Sequence, residues 1–263
     1  MRGVTWRGVT RTIVHLLRSW RGWVLPVLLL SLWEYTSHRD AVHSFAFVPL
    51  EQLLSALREL WSNGDLLLNL KGSLTRTSIG LALGIMAGVG VGVLMAFSRT
   101  ALTLINPIYQ SIRQVPLLGL TPLIALWMGS GEPAKIFIIA LASFYPMVLN
   151  TYEGLRNVDV RYSEVGLVYG LSRAQALRRV LFPASLPSFF SGLQQAVPFA
   201  WIAAVGGELL FNVGAGLGNL MMAAETSARM DVIIVCTASI AALGIAMSQL
   251  VSLWSSYALR WRQ

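Results

Sequence analysis

Apolar runs of membrane-spanning length recur along this chain and dictate its solvent. Six stretches, over 22–37, 74–97, 105–127, 134–151, 191–211 and 232–257, read as spans, against the roughly 20 apolar residues a helix needs to cross about 30 Å of hydrocarbon. Of the 263 residues 55% are hydrophobic and only 12% charged, where a soluble domain carries about 25% charged residues. A folded chain of that composition cannot clothe its surface in polar groups, so lipid is its natural surrounding. In lipid every backbone N–H and C=O must be bonded within the protein, and a helix does so segment by segment. The expected fold is all-α and integral to the membrane, with about six transmembrane helices.

The charges orient those spans. Net charge is +8 and the isoelectric point is about 10.2, values that in a soluble protein would raise nucleic acid as a partner. Here the arginines cluster beside apolar runs, as the positive-inside rule requires of cytoplasmic segments, and no nucleic-acid role is expected. Arg2, Arg7, Arg11, Arg18 and Arg21 precede the first run, and Arg99 follows the second. Arg156, Arg161, Arg173, Arg178 and Arg179 fall between the fourth and fifth, and Arg260 and Arg262 follow the sixth. With six spans all of these share one side. The other side carries Arg39, Arg58, Lys135 and Arg229, balanced by Asp40, Glu51, Glu59, Glu132, Glu225 and Asp231. The expected arrangement is both termini inside, with a basic cytoplasmic arm over 1–21 and a transmembrane domain over 22–263. The arm and first run resemble a signal peptide, but no small-residue cleavage site follows and Trp33-Glu34-Tyr35-Thr36 reads as an interfacial ending, so an uncleaved first span is expected.

Within the spans, Gly80, Gly84, Gly88, Gly90 and Gly92 are small residues that let helix backbones approach closely in lipid. They are no phosphate loop, for no GK[ST] ending or strand–turn–helix context accompanies them. Pro107, Pro116 and Pro122 interrupt the third run, and broken helix is tolerated at membrane depth only where protein or a water cavity satisfies the freed groups. Between the first two spans, leucines at 50, 53, 54, 57 and 60 lie on one helical face, as in an interfacial helix packed on the bundle. Residues 220–229 are expected to form a short surface helix after the Gly-rich loop 212–218.

Catalytic chemistry has no constellation to work with. A lone cysteine, Cys236, excludes a disulfide framework, and His15, His38 and His43 show no metal-ligand spacing. No Ser-His-Asp grouping, HExxH or Walker A sequence occurs, so neither a catalytic site nor a metal site is expected and the chain should not hydrolyse ATP by itself. Polar groups at membrane depth are costly and face the interior of a bundle, which makes Arg113, Gln114, Asn150, Gln194, Gln195, Glu208 and Asn212 candidates for a translocation path. Arg113 suits an anionic solute, since guanidinium grips oxyanions in bidentate fashion; its alternative is to snorkel to the cytoplasmic interface. Glu208, near the end of its span, is expected to cap a helix or form a gate contact.

The polar stretch over 152–190 is the informative one. Residues 159–169 read as a helix ended by Gly170. Ser172-Arg173-Ala174-Gln175 then has the S-x-x-Q form of a capping box, opening a second helix that should run to about Val180 and stop before Pro183. The stretch is expected to be a cytoplasmic helix–turn–helix elbow, either an interfacial connector or a handle that a partner grips.

Glu164-Val165-Gly166, three residues, Gly170, nine residues, and Val180-Leu181-Phe182-Pro183 together resemble the EAA signature of ABC importer permeases: E-A-A, three residues, G, nine residues, I-x-L-P. Spacing matches at every step, while Val165 and Gly166 replace the alanines and Phe182 a leucine. Arg113-Gln114-Val115-Pro116, Pro122-Leu123 and Trp127-Met128-Gly129 resemble a segment of the permeases for aliphatic sulfonates, taurine, nitrate and thiamine pyrimidine precursors, with Met128 in place of the usual phenylalanine. Gly154-Leu155-Arg156, Trp201, Glu208 and Gly216-Leu217-Gly218 fit the same subfamily.

The resemblance implies a type I importer fold like that of methionine importers, in the bacterial inner membrane. It implies as partners a second permease copy, cytoplasmic ABC ATPase subunits that bind the ATP and Mg, and a periplasmic solute-binding protein. It also implies that Glu164, Gly166, Gly170, Ser172, Arg173, Arg178, Arg179 and Pro183 form the ATPase-coupling elbow. The arginines there pair with ATPase carboxylates or serve simply as positive-inside charge. A different class, the ion-gradient-driven secondary transporter, would show two similar halves with matching broken helices, and no such repeat is seen.

Overall fold

In the computed structural model the described residues are 24–39, 47–158, 169–211 and 213–260, and among them all regular structure is helical. In chain order the helices are α1 (Val24–Ser37), α2 (Leu50–Ser62), α3 (Asp65–Phe97), α4 (Arg99–Ile112), α5 (Thr121–Met128), α6 (Glu132–Arg156), α7 (Arg173–Ala176), α8 (Phe182–Leu210), α9 (Leu217–Thr226) and α10 (Met230–Ala258). A 3₁₀ turn, Leu117–Leu120, precedes α5, and a π turn, Leu177–Leu181, joins α7 to α8. The expected basic arm over 1–21 lies outside the described residues.

The heart of the bundle is α6, packed along α3 on one side and α8 on the other. Four glycines of α3 make the first contact possible. An added Cβ at Gly84 would lie 2.0 Å from Ser143 Oγ and 2.3 Å from the Ala140 carbonyl oxygen. At Gly80, Gly88 and Gly92 it would come within 2.6–2.7 Å of the Cβ atoms of Ile139, Met147 and Thr151. Of the remaining glycines of α3, Gly90 faces open space and takes no part, and Gly72 lies against the Ala215 carbonyl, where a Cβ would come within 2.5 Å of its oxygen. In lipid, where burying apolar surface between helices gains little, close backbone approach is what supplies the dispersion energy of association.

Helix α8 packs against α3, α6, α9 and α10. Its buried face carries Leu193, Ala196, Val197, Ala200, Trp201 and Ala204, and Gln194, Gln195, Phe199 and Ile202 lie exposed on the other. Pro187 and Pro198 lie within its length. The indole of Trp201 on α8 donates to the Ile240 carbonyl of α10 at 3.0 Å. Helix α2 inserts Ala56 and Leu60 into the cluster formed with Leu66, Trp201, Leu217 and Val232, as an interfacial helix should. At its end, Arg229 forks onto Glu59 with two 2.8 Å bonds and onto Asp231 at 2.7 Å. Those hydrogen bonds hold the Glu59 carboxyl below the usual carboxylate range.

Several sequence expectations need correction. Among the described residues, helices α3, α6 and α10 are individually long and apolar enough to cross a membrane, and α4 with the 117–128 segment adds a fourth if that pair is one span; length and hydropathy of those residues do not confirm the count of six. The break expected in the third run is present: 105–127 is bent by 90°, because the chain leaves helical geometry at 113–116 where Pro116 has no N–H to donate. The polar stretch is shorter than 152–190, since α6 continues to Arg156 and helix resumes at Arg173. The elbow's second limb does not stop before Pro183. It runs through the π turn into α8, and the widened π turn just before Pro183 lets the helix pass a residue with no N–H to donate. Helix α9 begins at Leu217 and is no mere surface helix, for Leu217, Gly218, Asn219 and Ala224 are buried.

Candidate functional site

Where α3 and α6 begin and α8 ends, four charged side chains meet inside the bundle. Arg76 is 4% exposed, and Lys135 and Glu208 are fully buried, while the Glu132 side chain is 48% exposed. Arg76 sits on the same face of α3 as the glycine stripe, one turn before Gly80, so the helix contact that the glycines allow carries the guanidinium into the interior. Its Nε and Nη2 each lie 2.7 Å from a carboxylate oxygen of Glu132, a planar fork-to-fork pair. Its Nη1 donates to Glu208 and Nη2 also to the Ala215 carbonyl at 3.0 Å. The Lys135 ammonium is 4.0 Å from Glu132 and donates to the Val213 carbonyl. Two cations and two anions leave the cluster neutral, the condition under which buried charge is tolerable.

Glu208 does a second task. The first amides of α9 lack partners within their own helix and find them on other helices. Gly218 N–H donates to Glu208 Oε2 at 2.9 Å, Leu217 N–H to Ser73 Oγ at 2.9 Å, and Gly216 N–H to Asn69 Oδ1 at 2.7 Å. The Ser73 hydroxyl in turn donates to the Glu208 carboxylate at 2.7 Å. A carboxylate at this end of a helix also meets the positive pole of its dipole. The Gly-Leu-Gly sequence follows from this geometry. A Cβ at Gly216 would lie 2.5 Å from Glu208 Cδ, and one at Gly218 2.7 Å from Glu208 Cβ. The segment 213–216 is thus tied by Arg76 and Lys135 at its carbonyls, and Asn219 Nδ2 adds bonds to Val213 and Gly214 at 2.9 and 2.6 Å.

The other path candidates scatter. Arg113 and Gln114, at the break after α4, line a cavity of about 440 Å³ with Pro116, Tyr145, Phe199 and Ile202. An adjoining cavity of about 240 Å³ adds Tyr109 and Gln195. The Arg113 guanidinium lies 5.7 Å from the centre of the Tyr109 ring, whose hydroxyl donates to the Tyr145 carbonyl at 2.8 Å. The structure therefore brings Arg113, Gln114 and Gln195 together beside aromatic rings. Gln194 is exposed on α8 but lines neither cavity. Asn150 spends its amide on the Pro146 carbonyl of its own helix at 2.9 Å. Glu208 belongs to the charged cluster and not to the groove, and Asn212 lies outside the described residues.

In the elbow, Glu164 and Gly166 lie outside the described residues. Gly170 has φ +62°, the left-handed conformation that glycine takes at no steric cost. The capping box is formed as the sequence implied: Ser172 N–H donates to Gln175 Oε1 at 2.9 Å and Gln175 N–H to Ser172 Oγ at 3.4 Å. Arg173 opens α7, and Arg178 and Arg179 project from the π turn and are exposed.

Sequence reasoning named Glu208 and missed its partners. Arg76 had a signal, being a charge inside an apolar run, the circumstance that marks a residue as functional. Glu132 and Lys135 were assigned to an outer loop because they flank a Gly-Pro turn, and nothing local distinguishes them from solvated charges.

Residues 80–260 match the family of binding-protein-dependent transport system inner membrane components. Over 242 residues the chain is 30% identical to a putative aliphatic sulfonates transport permease protein of Bacillus subtilis (strain 168), covering 92% of this chain and 87% of that one. It is 30% identical over 184 residues to a nitrate import permease protein of Synechocystis, covering 70% and 66%. Among solved structures, an amino acid ABC transporter with histidines aligns with TM-score 0.60 at 18% identity over 78% of this chain and 98% of that one. An inward-facing methionine ABC transporter aligns with TM-score 0.52 at 17% identity over 69% and 92%, which is the fold that the sequence led us to expect. This multi-pass, all-helical chain belongs to the binding-protein-dependent inner-membrane components, the permeases of ABC importers.

Proposed function

We propose that the chain is the translocating subunit of an ATP-driven importer for a small anionic solute of the sulfonate or nitrate kind. Both termini are cytoplasmic, two copies enclose the path, and a separate ATPase pair binds ATP and Mg while an external binding protein delivers the solute. The observation that carries this reading is the unbroken helical course from the elbow into α8. Gly170 turns the chain, Ser172 and Gln175 start the limb, and the limb runs through Pro183 into α8. A partner that moves the elbow therefore moves α8, and with it Gln195 and Phe199 on one side and Glu208 at the far end. The groove of Arg113, Gln114 and Gln195 suits an anion, with a guanidinium to attract it and aromatic walls to desolvate it. The relatives named for sulfonates and nitrate support the anionic class.

The test is retention of an ATPase on the solubilised complex. A Cβ at Gly170 meets no neighbouring atom within 4 Å, so Gly170→Asp is resisted by backbone conformation alone, roughly 1–2 kcal/mol for a left-handed residue. That strain should distort the elbow and leave the bundle intact. The wild type is expected to copurify with its ATPase and Gly170→Asp to lose it while still inserting. A wild type that retains no ATPase in mild detergent would defeat the proposal.

A further inference from the structure

The Arg76 guanidinium shows a division of labour among its partners. On its inner side Glu208 is fully buried and held by Ser73 and Gly218 as well, so it is a fixed counter-charge. On its outer side Glu132 presents two coplanar oxygens, each 2.7 Å from the fork, from a side chain that is 48% exposed. Among the described residues, Arg76 and the more distant Lys135 are the partners of that carboxylate. When it swings into solvent, Arg76 and Lys135 face the gap against Glu208 alone, and the pocket is left with one positive charge too many. A gap of that charge, with a planar donor fork on one wall and an ammonium beside it, is built for a monoanion with two coplanar oxygens.

We infer that the Nε/Nη2 fork of Arg76 is an anion-binding site for carboxylate, nitrate, bicarbonate or sulfonate groups, and that Glu132 occupies it as an intramolecular stand-in for the solute. The inference deepens the proposed function by adding a second station at the opposite end of the bundle from the elbow. The site also touches the segment that the cluster ties down. A Cβ on Gly214 would lie 2.8 Å from Glu132 Oε1, and Arg76 Nη2 holds the Ala215 carbonyl. Exchange of Glu132 for a free solute removes one of two ties between the start of α6 and that segment, the one that runs through Arg76 to the Ala215 carbonyl, and leaves the Lys135–Val213 bond, so solute arrival there weakens the hold on the end of the bundle through which it must pass.

The experiment is thermal unfolding of the full chain in phosphatidylcholine nanodiscs, wild type against Glu132→Ala, in sodium nitrate, acetate, methanesulfonate or chloride at equal ionic strength. Glu132→Ala opens the fork, and the three oxyanions should raise its Tm by about 3 °C above chloride. The wild type, whose fork is filled, should respond to all four salts alike. Equal response of Glu132→Ala to chloride and the oxyanions overturns the inference, and so does an equal oxyanion effect in the wild type, which would place the anion elsewhere. If Glu132→Ala does not insert, Glu132→Gln, equal in size and uncharged, is read by the same two criteria. Repeating the measurement in phosphatidylglycerol discs without added oxyanion separates a lipid headgroup from a solute: full stabilisation there makes the occupant a lipid and overturns the solute assignment. The assay needs neither ATPase nor transport, so its outcome is independent of the elbow test.

Discussion

Glu208→Ala is expected to destabilise the folded chain by about 3–5 kcal/mol, the usual cost of removing one partner from a buried ion pair. The substitution leaves Arg76 and Lys135 with too little negative charge in the interior. It also orphans the Gly218 amide and one end of the Ser73 hydroxyl, at about 1–3 kcal/mol for a buried polar group without a partner. Glu208→Gln keeps the volume and an acceptor for Gly218, so it should lose part of that amount. The double variant Arg76→Met with Glu208→Leu should lose less than the sum of the two single changes, because both charges leave together. Unfolding in nanodiscs, followed by the exposure of buried Cys236 to a thiol reagent, measures all of these. Additive losses would show that the cluster is not one interacting unit.

Gly84→Ala should be the most damaging single-methyl change on α3. Overpacking costs typically 1–3 kcal/mol when side chains can shift. Here the added Cβ meets the Ala140 carbonyl oxygen at 2.3 Å and Ser143 Oγ at 2.0 Å, and a backbone atom cannot rotate away, so a loss at or above the upper end of that range is expected. Gly90→Ala on the same helix is the internal control. Nothing lies within 4 Å of its Cβ, and replacing a mid-helix glycine by alanine stabilises by roughly 0.5–1 kcal/mol. The two changes should therefore have opposite signs in the same unfolding assay. Equal effects would mean that α3 and α6 do not meet along the glycine stripe.

The legible parts of this molecule were those governed by local rules. Apolar run length gave α10 almost whole and most of α6 and α3, although α3 begins at Asp65 and not at 74, and a four-residue glycine period gave the face of α3 that touches α6. Ser172 and Gln175 announced a helix start that the structure forms bond for bond. The illegible parts depended on company. Helix α8 carries Gln194, Gln195 and Glu208 among its apolar residues, and its place in the bundle shows only in the face it packs on α6. Pro183 reads as a stop, but the π turn at Leu177–Leu181 carries the helix past it. The charged cluster joins residues as far apart in sequence as Ser73, Glu132 and Glu208. Each of these reads locally as an isolated polar group, and only Arg76, near the start of an apolar run, differs from its surroundings. The resemblance around the elbow rests on Glu164, Gly170 and Val180–Pro183, of which Glu164 lies outside the described residues.

The central claim is that this chain moves solute by ATP hydrolysis in a partner. It is tested most directly by uptake into vesicles under two driving forces. One set contains the chain with its ATPase, external binding protein and internal ATP; the other contains the chain alone under a proton or sodium gradient. Uptake of the sulfonate or nitrate taken up by the cells is expected only in the first set, and to stop when the internal ATP is replaced by a non-hydrolysable analogue. Gradient-driven uptake by the chain alone would contradict the account and make it a secondary transporter.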